Sequence, residues 1–213
     1  MLVEINDILD KLNFDINGII HIGAGSGAEL RNYSKLDVNN FIMIEPDPIS
    51  YKKLFLRKIY YNFFYKKKIK IENLLITDEK NQNVDFKIMN VKDCNSVLDL
   101  HLHKKIYPNI FLKKIIKLKS ETLNNIFKSK YNIKDYNFIN IDIQGAELLA
   151  FKGASNILNH IKGIYSEVNF EELYKNCTLV DQLDEYLEKY DFKRVYTNND
   201  MHSSWGDALY LKK

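Results

Sequence analysis

With 213 residues, 46% of them hydrophobic and 28% charged, the chain has the length and balance of one soluble globular domain over residues 1–213, which excludes a disordered or fibrous protein. The 31 basic and 28 acidic residues leave a net charge of +3, too even to call for a nucleic-acid partner, and no apolar stretch reaches the ~18 residues of a membrane span. Acids in MLVEINDILDKLNF stand where a secretory leader would carry positive charge, so the expectation is a cytoplasmic protein. Cys94 and Cys177 lie far apart and outside any CxxC spacing, which supports neither a disulfide framework nor a zinc site.

In chain order, Ile5, Ile8, Leu9 and Leu12 recur at helical spacing and predict a short leading helix over 2–13, broken at Asn17-Gly18. Residues 18–22 then read as a strand ending in glycines, 29–36 as a helix, and 41–44 as a second strand closed by Glu45-Pro46. An amphipathic helix follows over 50–65, then a third strand over 69–76, and Lys66-Lys67-Lys68 between them reads as a solvated helix end. Residues 78–118 are the least regular part; alternation at 84–88 suggests an extra hairpin and a loop lying over the site. His101-Leu102-His103 has a metal-binding spacing without nearby acids or cysteines, so both histidines read as surface residues. Helices at 121–127, 146–158 and 180–190 alternate with strands at 138–141, 161–168, 192–196 and 208–211, with Gly153 interrupting the second helix. Strands alternating with helices imply an α/β fold with a parallel sheet.

The run HIGAGSGAEL, His21 to Leu30, falls where a strand gives way to a helix. Backbone amides there can receive a ligand only if no Cβ blocks the approach. Glu45 ends the next strand 22 positions after Gly23, suited to accept hydrogen bonds from two ribose hydroxyls. Loop and acid together indicate an adenosine-containing cofactor. Gly23, Ala24, Gly25, Ser26 and Gly27 satisfy both the GxGxG pattern of S-adenosylmethionine sites and, with Ala28, that of dinucleotide sites. Against an NAD-binding oxidoreductase stand the short chain and the lack of a Tyr-x-x-x-Lys pair at Tyr131 or Tyr186. Further along, NIDIQGAELLAFKGAS puts Asp142 at a strand end and starts a helix bearing Glu147, and YSEVNFEELY brings Glu167 and Asn169 to the same carboxyl edge, where open α/β sheets bind ligands.

Taken together, HIGAGSG from His21, EPDP from Glu45, IDIQGAELLAFKG from Ile141 and WGDALYLKK from Trp205 resemble, in order, the motifs of the FkbM-type methyltransferase family. The resemblance implies a Rossmann-like class I methyltransferase fold: a seven-stranded, mostly parallel sheet of order 3-2-1-4-5-7-6, its last strand antiparallel, with helices on both faces. It also implies methyl transfer from S-adenosylmethionine, leaving S-adenosylhomocysteine, to a hydroxyl of a sugar, glycan or small natural product. By position it assigns Asp78 to an adenine amino group and Asn95-Ser96 to a cofactor loop. Two departures stand out: His21 occupies a place where many class I methyltransferases have an acid, and Gln144 one where the family often has glutamate.

A sugar hydroxyl needs a general base or a divalent metal near the methyl group before it attacks. The candidate bases are Asp142, Glu167 and His202, the last in the polar loop beside Trp205. Asp142 could equally hold the cofactor amine or cap the following helix. Expected cofactor contacts are His21, the glycine loop with Ser26 and Glu29, Glu45, Pro46, Asp78, Asn95, Ser96 and Asp142; expected acceptor contacts are Gln144, Asn169 and Trp205. The reading from another class is a non-catalytic adenosine-ligand or glycan-binding module on the same fold.

Overall fold

Strand β1, Gly18–Ile22, is buried along its whole length, as a parallel strand covered on both faces must be. It lies between β2 (Asn40–Ile44) and a later strand, β7 (Phe138–Ile141), both parallel to it. The computed structural model describes residues 5–200 and 202–213. Adding β3 (Lys68–Glu72), β8 (Gly163–Asn169), β9 (Phe192–Asn198) and β10 (Trp205–Lys212) gives a seven-stranded sheet of order β3-β2-β1-β7-β8-β10-β9. Only β10 runs antiparallel to its neighbours. This is the strand order and polarity that the motif resemblance implies.

Side chains alternate along these strands and build two cores. Ile20, Ile22, Ile42 and Ile44 face one, closed by α5 (Leu123–Ser129), α6 (Glu147–Lys152), α7 (Ser155–Leu158) and α8 (Val180–Glu188). Ile19, Phe41 and Met43 face the other, under α1 (Asn6–Leu9), α2 (Leu30–Tyr33) and α3 (Pro48–Phe64). Burial on both faces leaves only the strand ends for a ligand.

The elements depart from expectation where side chains redirect the backbone. The leading helix stops at Leu9, and its expected start at 2–4 lies outside the described residues. The expected third strand divides because Asn73 Nδ2 donates to the carbonyls of Glu45 (2.8 Å) and Pro46 (3.1 Å), which turns the chain away after β3. Its remainder, β4 (Leu75–Ile76), joins a small second sheet, β4-β6-β5, in which β5 (Asn83–Met89) pairs antiparallel with β6 (Leu112–Glu121). That pair is the hairpin suggested by the alternation at 84–88. Gly153 ends α6, and only glycine fits there, because a Cβ would stand 2.1 Å from the Thr77 carbonyl oxygen. Lys67 is not solvated: its Nζ is buried and donates to the carbonyls of Leu36 (2.7 Å) and Val38 (2.8 Å).

Candidate functional site

The turn after β1 has left-handed backbone at three glycines, with φ of 82° at Gly23, 53° at Gly25 and 77° at Gly27. Each has a different neighbour. A Cβ on Gly23 would lie 1.8 Å from the Asp142 carbonyl oxygen and one on Gly27 2.5 Å from the Leu54 side chain, whereas one on Gly25 would meet nothing within 4 Å. Gly23 and Gly27 therefore permit close packing, and Gly25 faces open space. Glu45 fastens this turn to the end of β2: Oε2 accepts from the Gly25 N–H and Oε1 from the Asp47 N–H, both at 2.7 Å. Burial pushes the Glu45 carboxyl up to about 7 despite these two donors.

Beyond β7 the chain makes a second tight turn. Glu147, buried in the first turn of α6, accepts from the N–H groups of Ile143 and Gly145, both at 3.1 Å, and holds Gln144 at φ 57° and Gly145 at φ 93°. In that strained conformation the Gln144 side chain bridges two acids, its Nε2 donating to Asp142 Oδ1 at 2.7 Å and to Glu167 Oε2 at 2.6 Å. The Tyr174 hydroxyl donates to Gln144 Oε1 at 2.7 Å, and Ser96 Oγ to the Gln144 carbonyl at 2.9 Å. Burial, followed by the charge of Asp142, drives Glu167 well above the usual carboxylate range. Asp207, opposite Glu167 in the β8–β10 register, is pushed to about 7 by burial and then by Asp142.

Two cavities meet at this turn. The first, 280 Å³, runs along the carboxyl edge of the sheet: Asp142 and Glu29 at the β7–β1 end, Glu45 at β2, and apolar Leu74, Ile76 and Phe86 beyond β3. One buried oxygen of Glu29 has no hydrogen-bond partner. The second, 170 Å³, lies behind Gln144 and is walled by His103, Tyr107, Leu173 and Trp205, with Glu167 at its base. Asp93 and Gln144 line both. Among the described residues, no three His, Cys, Asp or Glu side chains are grouped so as to hold a metal ion.

A sequence model of the methyltransferase FkbM domain matches residues 21–194. The chain belongs to the FkbM methyltransferase domain family. Among solved structures it is similar to a methyltransferase FkbM from Methylobacillus flagellatus KT, at 19% identity and a TM-score of 0.62, over 95% of this chain and 45% of that one. This chain thus spans less than half the length of that relative. It also shares its fold with the magnesium protoporphyrin IX methyltransferase of Synechocystis PCC 6803, solved with bound S-adenosylmethionine (6% identity, TM-score 0.54, 99% and 76% covered). A third fold relative is Sp1610 of Streptococcus pneumoniae, a putative tRNA (m1A22) methyltransferase (9%, 0.55, 100% and 71%). No curated protein matches.

In this FkbM domain the glycine turn from Gly23 to Ser26, Glu29, Glu45, Pro46, Asn95, Asp142 and Gln144 all line the first cavity, and Glu167, Gln144 and Trp205 the second. Gly27 packs on α3 instead, and Ser96 ties the loop above the cavity to the Gln144 turn. Five expectations need correction. His21 is buried inside β1, its Nδ1 3.2 Å from the Tyr33 hydroxyl, and does not line the cavity, because both faces of β1 are covered. Asp78 is exposed, since the chain has already turned away after β4. Asn169 is fully buried between Trp205 and Leu179 and reaches neither cavity. His202 stacks on Trp205 (ring centroids 6.3 Å apart) and accepts from the Ser204 N–H on Nδ1 at 3.0 Å, outside both linings. His103 is a fifth: it is 6% exposed rather than a surface histidine, and its Nδ1 has no partner. Sequence reading gave His103, at the start of the short helix α4 (His103–Ile106), no role in the site, and missed Tyr107, Asp93 and Phe86. Phe86 falls in the alternation at 84–88, but no periodic signal marks His103, Tyr107 or Asp93.

Proposed function

We propose that the chain is an S-adenosylmethionine-dependent O-methyltransferase acting on a hydroxyl of a sugar, glycan or small natural product. The observation that carries this reading is the pair of adjoining cavities with an acid pair at their common wall. The first cavity suits the cofactor in the order of its chemistry: unpartnered Glu29 oxygen and Asp142 for an ammonium, Glu45 for ribose hydroxyls, apolar side chains for adenine, and open space above Gly25. When bound, the cofactor supplies an electrophilic methyl on sulfur.

The chain's own task is to hold an acceptor oxygen in line and take its proton. Burial and the neighbouring Asp142 favour the protonated form of Glu167, which can then donate a hydrogen bond, while Asp142 receives the proton of the acceptor hydroxyl. Gln144 fixes the two carboxyls relative to each other. Burial lowers the His103 pKa and keeps the ring neutral, so its unpartnered Nδ1 accepts from a second hydroxyl. Tyr107 and Trp205 provide aromatic faces for a ring. A non-catalytic binding module would draw support from carboxylates turned away from the cavities, whereas Asp142 lines the first and Glu167 the second.

Thermal-shift titrations test the cofactor: S-adenosylhomocysteine raises Tm and NAD does not, and stabilisation by NAD alone overturns the reading. Combining Asp142→Asn with Glu167→Gln lowers kcat by about 10²–10⁴-fold. Unchanged turnover in that double variant overturns the assigned proton transfer.

A further inference from the structure

Helix α3 is amphipathic in the wrong sense for a helix that packs only on its own sheet. Of its 17 residues, Ser50 and Leu54 are the buried ones. Ile49, Leu56, Ile59, Tyr60, Phe63 and Phe64 are all exposed, Leu56 at 67%, Phe63 at 76% and Phe64 at 65%. Their spacing of three, four and seven puts most of them on one stripe facing outward. Monomeric soluble proteins rarely expose so continuous an apolar surface without using it.

The charge around this stripe has one sign. From Pro48 to Ile71 there is no acidic residue, while Lys52, Lys53, Lys66, Lys68 and Lys70 are exposed. The acids at either end are already engaged: Asp47 caps α3 by accepting from the N–H groups of Ile49 and Ser50, and Glu72 takes both Lys130 and the Tyr131 hydroxyl. Lysines at Lys68 and Lys70 on edge strand β3 would by themselves discourage strand pairing. That role does not account for the apolar side chains beside them.

We infer that the outer face of α3, with the lysines of β3, lies on an anionic lipid surface. Aliphatic and aromatic side chains enter the acyl boundary, and lysine stems flank them with their ammonium groups among the headgroups. A second copy of the chain is a poorer occupant, because a twofold contact sets each lysine cluster against its own image. Among the described residues no helix is long and apolar enough to cross a membrane, so the mode is attachment on the surface. This inference stands apart from the methyl-transfer reading.

Co-sedimentation of the full chain with phosphatidylcholine vesicles, with and without phosphatidylserine, tests it. Expected is at least tenfold stronger partitioning onto the anionic vesicles, weakened by salt. Leu56→Gln with Phe63→Gln abolishes that gain, as does Lys66→Glu with Lys68→Glu, each with Tm unchanged because the side chains are exposed. Equal partitioning onto both vesicle types overturns the inference. So does anionic binding that survives Leu56→Gln with Phe63→Gln, since charge alone would then explain it. A dimer that Leu56→Gln with Phe63→Gln dissolves, without vesicle binding, assigns the face to a second copy instead.

Discussion

Along the first cavity, backbone decides the shape: Gly23 and Gly27 bring the turn against β7 and α3, Gly25 leaves space, and Glu45 fixes the rim. Behind Gln144 the second cavity is walled by side chains from three distant places, namely His103 and Tyr107 from the β5–β6 connection, Glu167 from β8 and Trp205 from β10. The first cavity tolerates no added atoms at Gly23 or Gly27, where the turn is packed, and has room only above Gly25. The second can change the part of its wall that comes from the β5–β6 connection without disturbing the sheet.

The largest expected effect breaks the first cavity. Gly23→Ala drives a Cβ into the Asp142 carbonyl and is expected to cost about 3 kcal/mol or more, measured by chemical denaturation. Gly25→Leu, by contrast, costs about 1–2 kcal/mol for its left-handed φ yet fills the open space, so S-adenosylhomocysteine affinity falls by about 100-fold in calorimetry. If Gly25→Leu binds normally, the ligand does not pass over the turn. The second cavity responds more gently: Trp205→Ala or His103→Phe raises the acceptor KM by about tenfold and leaves S-adenosylhomocysteine affinity unchanged. Loss of cofactor affinity in Trp205→Ala would erase the distinction between the cavities.

The smallest effect comes from buried acids around the first cavity and its supporting turns. Glu45, Glu147 and Asp207 are each raised by burial to about 7. Between the ordinary carboxylate range and pH 7 the folded chain therefore binds more protons than the unfolded one, and stability falls as pH rises through that window. His21 and His103, lowered by burial, oppose this only below about pH 6.5, where the unfolded rings take up protons. Tm is thus expected to fall from pH 6.5 to pH 8, with a shallower fall in Glu147→Gln. A Tm that rises over that interval contradicts the burial of these acids.

The same contrast separates the features legible in the sequence from those that are not. The glycine turn, Glu45, Asp142 and the strand order depend on local backbone geometry and apolar runs, which leave a trace in neighbouring residues. His103 and Tyr107 owe their positions to the path of a 22-residue connection between β5 and β6, residues 90–111, and have no such trace. His21 misled for a different reason. In GIIHI a histidine sits inside a strand buried on both faces, so it points into a core, where Tyr33 and Asn140 complete its polar chain. Lys67 likewise belonged to a run of three lysines whose middle member was turned inward by two carbonyls.

Gln144 sits in the wall between the two cavities, strained in its backbone and tied through its side chain to one carboxyl that faces each. A ligand that draws Gln144 toward itself on one side alters the free energy of filling the other, and reciprocity makes the factor identical in both directions. A single amide thus couples the two cavities.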